Sequence, residues 1–103
     1  MADASYPREG VCVVAARGDL DIDSLAPLRE TLEAAAAAHR VLVLDITDVT
    51  FGDSSFLNLL LRTGEATSLR IAAPSEQLQR LFAVTGADQV LSLYPSVERA
   101  VAG

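Results

Sequence analysis

Residues 41–61, VLVLDITDVTFGDSSFLNLLL, constrain the fold more than any other stretch of the chain. The stretch opens on four apolar residues, and a short unbroken apolar run is typical of a strand buried on both faces. Residues 46–50 predict a short polar loop, and the apolar spacing after residue 53 predicts a helix over residues 54–63. Ser54 is thereby placed at the start of a helix, where free backbone N–H groups and the helix dipole favour a phosphate.

Composition limits the classes of function that this chain can have. A length of 103 residues, half of them hydrophobic, suggests one domain with its own core. A net charge of −6 without any run of basic residues argues against nucleic acid or an anionic membrane as a direct partner. Residues 1–10 are polar and unlike a signal peptide, and no apolar run approaches the roughly 20 residues of a membrane span. We therefore expect a soluble, cytoplasmic protein with no membrane insertion.

The first half of the chain predicts strands followed by a helix. Residues 11–16 are rich in β-branched residues and predict a strand, with a short strand around Tyr6 pairing to it as a hairpin. Residues 1–5 are expected to be frayed, and residues 18–21 to leave the strand. Because Pro27 is tolerated only in a first helical turn, the next helix should have its N-cap near Ser24. Its apolar stripe would be Leu25, Leu28, Leu32, Ala35 and Ala36.

The predicted helix over residues 54–63 has two contrasting faces. Leu57, Leu60, Leu61 and Gly64 share one face, on which we expect the three leucines to be buried. The opposite face carries Ser55, Asn58, Leu59 and Arg62, with Phe56 at the margin. An outward leucine and a marginal phenylalanine indicate either a docking surface or cover from a neighbouring element.

The second half continues the alternation of strands and helices. Residues 69–73 predict a strand, Ser75 and Gly86 bound a helix, residues 89–94 predict a short strand, and Ser96 begins a last short helix. Alternation of this kind indicates layered α/β structure with right-handed crossovers. We therefore predict an α/β fold: a single domain over residues 1–103, with a mixed, largely parallel sheet of four or five strands and about four helices.

Each enzyme motif that the sequence partly matches lacks at least one residue that its chemistry requires. The block Gly-Asp-Ser at residues 52–54 looks like the start of a GDSL hydrolase, which needs a downstream histidine, but His39 is the only histidine and lies upstream. The nucleophile-elbow motif G-x-S-x-G is also incomplete, because Phe56 stands at the position of its second glycine. All eight basic residues are arginine, so neither a P-loop nor a receiver domain phosphorylated at Asp45 has its lysine. With the single Cys12, the chain also lacks metal-ligand spacing. We predict no catalytic residue, metal or cofactor.

Two features leave alternatives open on the residues alone. Ser54 either merely begins its helix or accepts a phosphate without doing chemistry itself. The carboxylates of Asp19, Asp21 and Asp23 form either a solvated loop or an acidic patch that faces a partner.

Taken together, these segments resemble the STAS domain of the anti-sigma factor antagonist family. The Asp-Ser-Ser core between a strand and a helix is the most specific part of a resemblance that spans nearly the whole chain. The matching segments are Gly18-Asp19-Leu20-Asp21, Val43-Leu44-Asp45, Val49-Thr50-Phe51 with Asp53-Ser54-Ser55, Leu57 with Leu60-Leu61, and Arg80-Leu81-Phe82 with Thr85-Gly86.

The resemblance implies a bacterial regulator of transcription that acts as a switch and not as an enzyme. Unphosphorylated, such a protein binds an anti-sigma factor with serine kinase activity and frees the sigma factor. The kinase inactivates it by phosphorylation, and a serine phosphatase restores it. The family motif implies Ser54 as the acceptor, with Ser55 as the alternative. Asp21 and Asp53 match acidic positions of the family's partner-facing surface. We predict that the full set of partner-binding residues is Asp21, Asp53, Ser54, Ser55, Phe56, Asn58 and Leu59.

One position departs from the family pattern. The family usually has glycine after Asp-Ser-Ser, whereas this chain has Phe56, a ring that we expect to narrow kinase access or change partner choice. An alternative within the resemblance is a STAS binding subunit that is not phosphorylated and serves a lipid ABC transporter or a signalling scaffold. A nucleotide-binding module has little support, because the chain has neither a phosphate loop nor a basic pocket.

Overall fold

Five strands form one mixed sheet in the computed structural model, which describes the backbone of residues 2–8 and the backbone and side chains of residues 10–103. The strands lie side by side in chain order; the first pair is antiparallel and every later pair is parallel. This arrangement confirms the predicted mixed, largely parallel sheet. The strands are β1 (Ala2–Arg8), β2 (Val11–Leu20), β3 (Val41–Gly52), β4 (Ser68–Ala72) and β5 (Ser92–Tyr94).

Helices cover the two faces of the sheet unequally. The larger core packs three helices against one face, and the smaller core packs the short last helix against Val13, Val43 and Ala72 on the other. The large apolar side chains therefore lie mostly on one side of the sheet. The helices are α1 (Ala26–Ala38), α2 (Ser54–Ala66), α3 (Glu76–Thr85) and α4 (Val97–Ala102), and a 3-10 turn follows α3 at Ala87–Gln89.

Strands β2 and β3 extend further than their sequences predict. Residues 46–50, predicted as a loop, belong to β3, and residues 18–20, predicted to leave the strand, belong to β2. Here residues 17–20 of β2 pair with residues 48, 49, 51 and 52 of β3. Ile46 and Val49 are buried, so this extension adds to the core. The register shifts twice along the pair, and such irregularities interrupt the alternation of apolar and polar residues by which a strand is recognised.

The amino-terminal segment confirms the predicted hairpin, whereas the fraying expected of residues 1–5 stays a prediction. Tyr6 pairs with Val13 and Ser5 with Val14, so the backbone of residues 2–5 belongs to β1. The pairing partner, β2, supplies the hydrogen bonds that a free terminus lacks. Residue 1 lies outside the described residues.

Two predicted boundaries move for local reasons. Helix α1 begins at Ala26 instead of after Ser24, because the Ser24 hydroxyl accepts a hydrogen bond from the Asp21 N–H at 3.1 Å and donates to the Asp19 carbonyl at 3.0 Å. The strand predicted over residues 89–94 is shortened to β5, because Gln89 belongs to the 3-10 turn and the N–H groups of Val90 and Leu91 donate to the Ala87 carbonyl. Helix α3 begins after Ser75 and ends at Gly86 as predicted.

Helix α2 presents a different stripe to the core from the one its leucine spacing suggests. The buried residues are Phe56, Leu59, Leu60 and Thr63, whereas Leu57 and Leu61 are only half-buried against the core. Apolar residues at 56, 57, 59, 60 and 61 cover more than one helical face, so spacing alone leaves the docking angle undetermined. Leu60 is buried, and Asn58 and Arg62 are exposed, as predicted.

Candidate functional site

Asp53 organises the start of α2. Its Oδ1 accepts hydrogen bonds from the backbone N–H of Ser55 at 2.9 Å and of Phe56 at 3.1 Å, as an N-cap carboxylate does. Its own N–H donates to the Leu20 carbonyl at 3.2 Å. The helix start is therefore attached to the carboxyl end of β2.

The same carboxylate holds the β2–α1 loop, residues 21–25. Oδ2 of Asp53 accepts a hydrogen bond from the Ile22 N–H at 3.3 Å. Within the loop, Oδ1 of Asp21 accepts from the N–H groups of Asp23 and Ser24, each at 3.0 Å. Asp21 is thus half-buried and orders the loop, while Asp53 fixes that loop against α2.

Ser54 is the first residue of α2 and is exposed to solvent. Among residues 10–103 its hydroxyl has no hydrogen-bond partner, so it is free to meet another molecule. Ser55 is half-buried, and its backbone N–H is already bonded to Asp53. Of the two serines, Ser54 is the more accessible acceptor.

The structure corrects the predicted roles of Phe56 and Leu59. Both were expected to face a partner, but their side chains are 0% and 7% exposed. The Phe56 ring lies over Gly52, where an added Cβ would be 3.0 Å from Cε2 and 3.2 Å from Cγ. Because the ring is directed into the core, it does not cover the Ser54 hydroxyl, contrary to the expected narrowing of access. Glycine at position 52 provides the space that phenylalanine at position 56 needs.

Two exposed apolar side chains near the site were not identified from sequence. Ile22, on the β2–α1 loop, is 69% exposed, and Phe51, at the end of β3, is 45% exposed. Ile22 lies between Asp21 and Asp23, and an apolar residue between two carboxylates is the signal that could have identified it. Exposed apolar side chains beside accessible polar groups are typical of protein-binding surfaces.

The site contains a serine hydroxyl that can accept a phosphate and exposed side chains that can contact a partner. It contains no histidine or lysine that could activate a nucleophile. His39 lies at the opposite end of α1 from the β2–α1 loop. Over residues 2–8 and 10–103, no group of three or more potential ligands could hold a metal ion. No helix in the same part of the chain combines the length and apolar character needed to cross a membrane.

Comparisons with known proteins agree with this geometry. A family model described as "Mlab, STAS domain" matches residues 5–94. An anti-sigma factor antagonist from Mycobacterium paratuberculosis superposes with a TM-score of 0.90 at 27% identity, covering 99% of this chain and 91% of that one. No protein with a curated description matches the chain in sequence.

Two further structures share the fold at lower identity. A STAS domain protein from Planctomyces limnophilus, described as an anti-sigma factor antagonist, has a TM-score of 0.84 at 18% identity and covers 96% of this chain and 94% of that one. The Bacillus cell fate determinant SpoIIAA, in its phosphorylated form, has a TM-score of 0.74 at 17% identity and covers 99% and 97%. At these identities the likeness concerns the fold alone.

Proposed function

The chain belongs to the STAS domain family, and on that premise we propose that it is a bacterial anti-sigma factor antagonist that acts by binding in the cytoplasm. Its unphosphorylated form binds an anti-sigma factor with serine kinase activity and frees the sigma factor. Phosphorylation of Ser54 switches the binding off, and a serine phosphatase restores it. The observation that carries the proposal is the exposed, unpaired Ser54 hydroxyl at the first position of α2.

The domain should tolerate a phosphate at Ser54. Phosphorylation adds a charge of about −1.5 to −2 and three acceptor oxygens. The amino terminus of α2 favours negative charge through its dipole and its N–H groups, which offsets part of the repulsion from the Asp53 carboxylate. The modified domain should therefore stay folded.

A partner surface that accepts a neutral hydroxyl should not tolerate that phosphate. The Ser54 hydroxyl lies next to Asp53, which is tied to the acidic β2–α1 loop. Burying a further negative charge there without a cationic partner costs several kcal/mol, which corresponds to a loss of affinity of roughly a hundredfold or more. Phosphorylation would thus break the complex without unfolding the antagonist.

The test uses purified anti-sigma factor kinases encoded in the same genome, assayed one by one with this protein. Incubation with ATP should place phosphate on Ser54, as mapped by mass spectrometry. Ser54→Asp should fold normally yet bind the kinase poorly, whereas Ser54→Ala should bind and resist inactivation. Ser55→Ala is the matched control and should still be phosphorylated.

Other results would change or remove the proposal. Phosphate on Ser55 in place of Ser54 would move the acceptor by one residue. If no kinase binds the wild-type protein, or if Ser54→Asp binds as tightly as wild type and neither serine is phosphorylated, the switch is refuted.

A second candidate is a fixed binding subunit of a lipid ABC transporter or a signalling scaffold. The observation in its favour is the description of the matching family model, which names Mlab and not an antagonist. Such a subunit would bind through the same surface, but its affinity would not depend on the phosphorylation state of Ser54. Stable co-purification with a transporter ATPase, with an unmodified Ser54, would favour this candidate.

A further inference from the structure

Helices α1 and α2 enclose a groove of about 300 Å³, which we call the α1–α2 groove. The buried side chains of Leu32 and Leu59 lie at its base. The small residues Ala36 and Ala66 also line it, one from each helix, and the exposed Ile22 of the β2–α1 loop belongs to its wall. The groove is therefore apolar inside and open to a side chain or a short segment from another molecule.

Two arginines give the groove a charge unlike that of the chain as a whole. Arg29 of α1 and Arg62 of α2 both line it and are exposed. Over residues 10–103, neither guanidinium group has an ion-pair or hydrogen-bond partner. Glu33 also lines the groove, so these three side chains sum to a charge of +1 on a protein of net charge −6. Unpaired guanidinium groups beside an apolar surface favour a ligand that combines carboxylates with apolar side chains.

The groove is continuous with the surface around Ser54. Ser55 and Asn58 line the α1–α2 groove and also a shallow depression next to the Ser54 hydroxyl. A partner that covers Ser54 therefore has a direct path into the groove. Ile22 also connects the groove to the surface around Ser54, because its N–H donates a hydrogen bond to the Asp53 carboxylate that caps α2.

We propose that the α1–α2 groove binds an amphipathic helical segment of the anti-sigma factor, a proposal that rests on the function proposed above. The apolar face of the segment packs on Leu32 and Leu59, and a carboxylate at its edge pairs with Arg29 or Arg62. From Ser55 to Ala66 the groove follows α2 for about 17 Å at a rise of about 1.5 Å per residue. That length suits a partner helix of about three turns, the usual form of helix-in-groove recognition.

The affinity test changes the charge and the width of the groove separately. Arg62→Glu reverses a charge at the rim, and Ala66→Trp fills the groove from an exposed helical position. Matched controls are Arg99→Glu on α4, which packs on the other face of the sheet, and Ala34→Trp at an exposed site outside the groove. With purified anti-sigma factor kinase as the probe, calorimetry should show at least about tenfold weaker binding for both groove variants and less than about twofold for the controls. Circular dichroism and thermal melting should show that all four variants fold.

A crosslink identifies the occupant. A photoreactive benzoylphenylalanine placed at position 37, an exposed residue of α1 that borders the groove without lining it, should crosslink, in the complex, to one amphipathic helix of the kinase that carries acidic residues. A crosslink to a second copy of this chain, or none to the kinase, would overturn the proposal.

The results separate this inference from the proposed function. If Ser54→Asp abolishes binding while Arg62→Glu and Ala66→Trp bind like wild type, the groove inference fails alone. If no kinase binds the wild-type protein, the antagonist function fails and the groove inference fails with it. If both groove variants and Ser54→Asp lose affinity, both proposals are supported.

Discussion

The contact between Gly52 and Phe56 can be tested with a double-mutant cycle. Gly52 is buried at the end of β3, and a Cβ there would meet the Phe56 ring at 3.0 Å from Cε2 and closer still to Cδ2. Its φ lies outside the left-handed region, so alanine is compatible with the backbone. We therefore expect the cost of Gly52→Ala to come from the ring and not from the main chain.

The magnitudes follow from packing. Overfilling a well-packed core typically costs about 1–3 kcal/mol, partly offset by the 0.4–1 kcal/mol or so that replacing glycine gains through the unfolded state. Gly52→Ala should therefore destabilise the wild-type protein by about 1–2 kcal/mol. Phe56→Ala alone should cost about 3–5 kcal/mol, because it leaves a cavity in the core. In that background the clash is gone, and Gly52→Ala should become neutral or stabilising.

Urea unfolding followed by circular dichroism measures the four free energies of the cycle. The expected interaction energy is about 1–3 kcal/mol in favour of the double variant. Gly64→Ala is the matched control, because Gly64 is exposed in α2 and a Cβ there meets no atom within 4 Å. It should stabilise the protein by about 0.5–1 kcal/mol. An equal effect of Gly52→Ala in both backgrounds would refute the explanation of why this chain combines glycine and phenylalanine at these positions.

Three further predictions concern stability and reactivity. Leu60→Ala should cost about 2–5 kcal/mol and Leu61→Ala clearly less, because only Leu60 is fully buried; equal losses in denaturant unfolding would mean that α2 docks at another angle. Asp53→Ala should cost about 0.5–2 kcal/mol through loss of the N-cap, with Asp53→Asn retaining most of the stability, and full retention by Asp53→Ala would contradict the cap. Burial raises the pKa of the Cys12 thiol, so the native protein binds this proton more tightly and stability should fall as pH rises above about 8.5; Cys12→Ala should remove that part of the pH dependence.

The local sequence was sufficient for the order of the elements and for the position of the serine. Ser75 as an N-cap and Gly86 in a left-handed conformation depend on interactions within a few residues, so their sequence signals are reliable. The strand at residues 41–44 pairs with distant strands, but its unbroken apolar run is itself typical of a strand buried on both faces. The same holds for Asp53, whose capping bonds reach only two and three residues along the chain. From these alone, an accessible Ser54 at the start of α2 could be predicted.

The predictions that failed depend on contacts between distant parts of the chain. Residues 46–50 become a strand because β2 lies beside them, and their own sequence does not reveal that partner. Helix α2 has apolar residues on several faces, so the sheet decides that Phe56 and Leu59 are buried and that Leu57 and Leu61 are not fully covered.

The surface around Ser54 likewise combines contacts between neighbouring residues with contacts between residues far apart in the chain. Local sequence places Asp53 and Ser54 at the junction of a strand and a helix, because an apolar strand precedes them and Asp53 caps the helix that follows. Long-range folding is needed to bring Ile22, 31 residues away, to the Asp53 carboxylate. The tertiary structure also decided that Arg29 and Arg62 line one groove, because side chains from two helices come together only when both helices pack on the same face of the sheet.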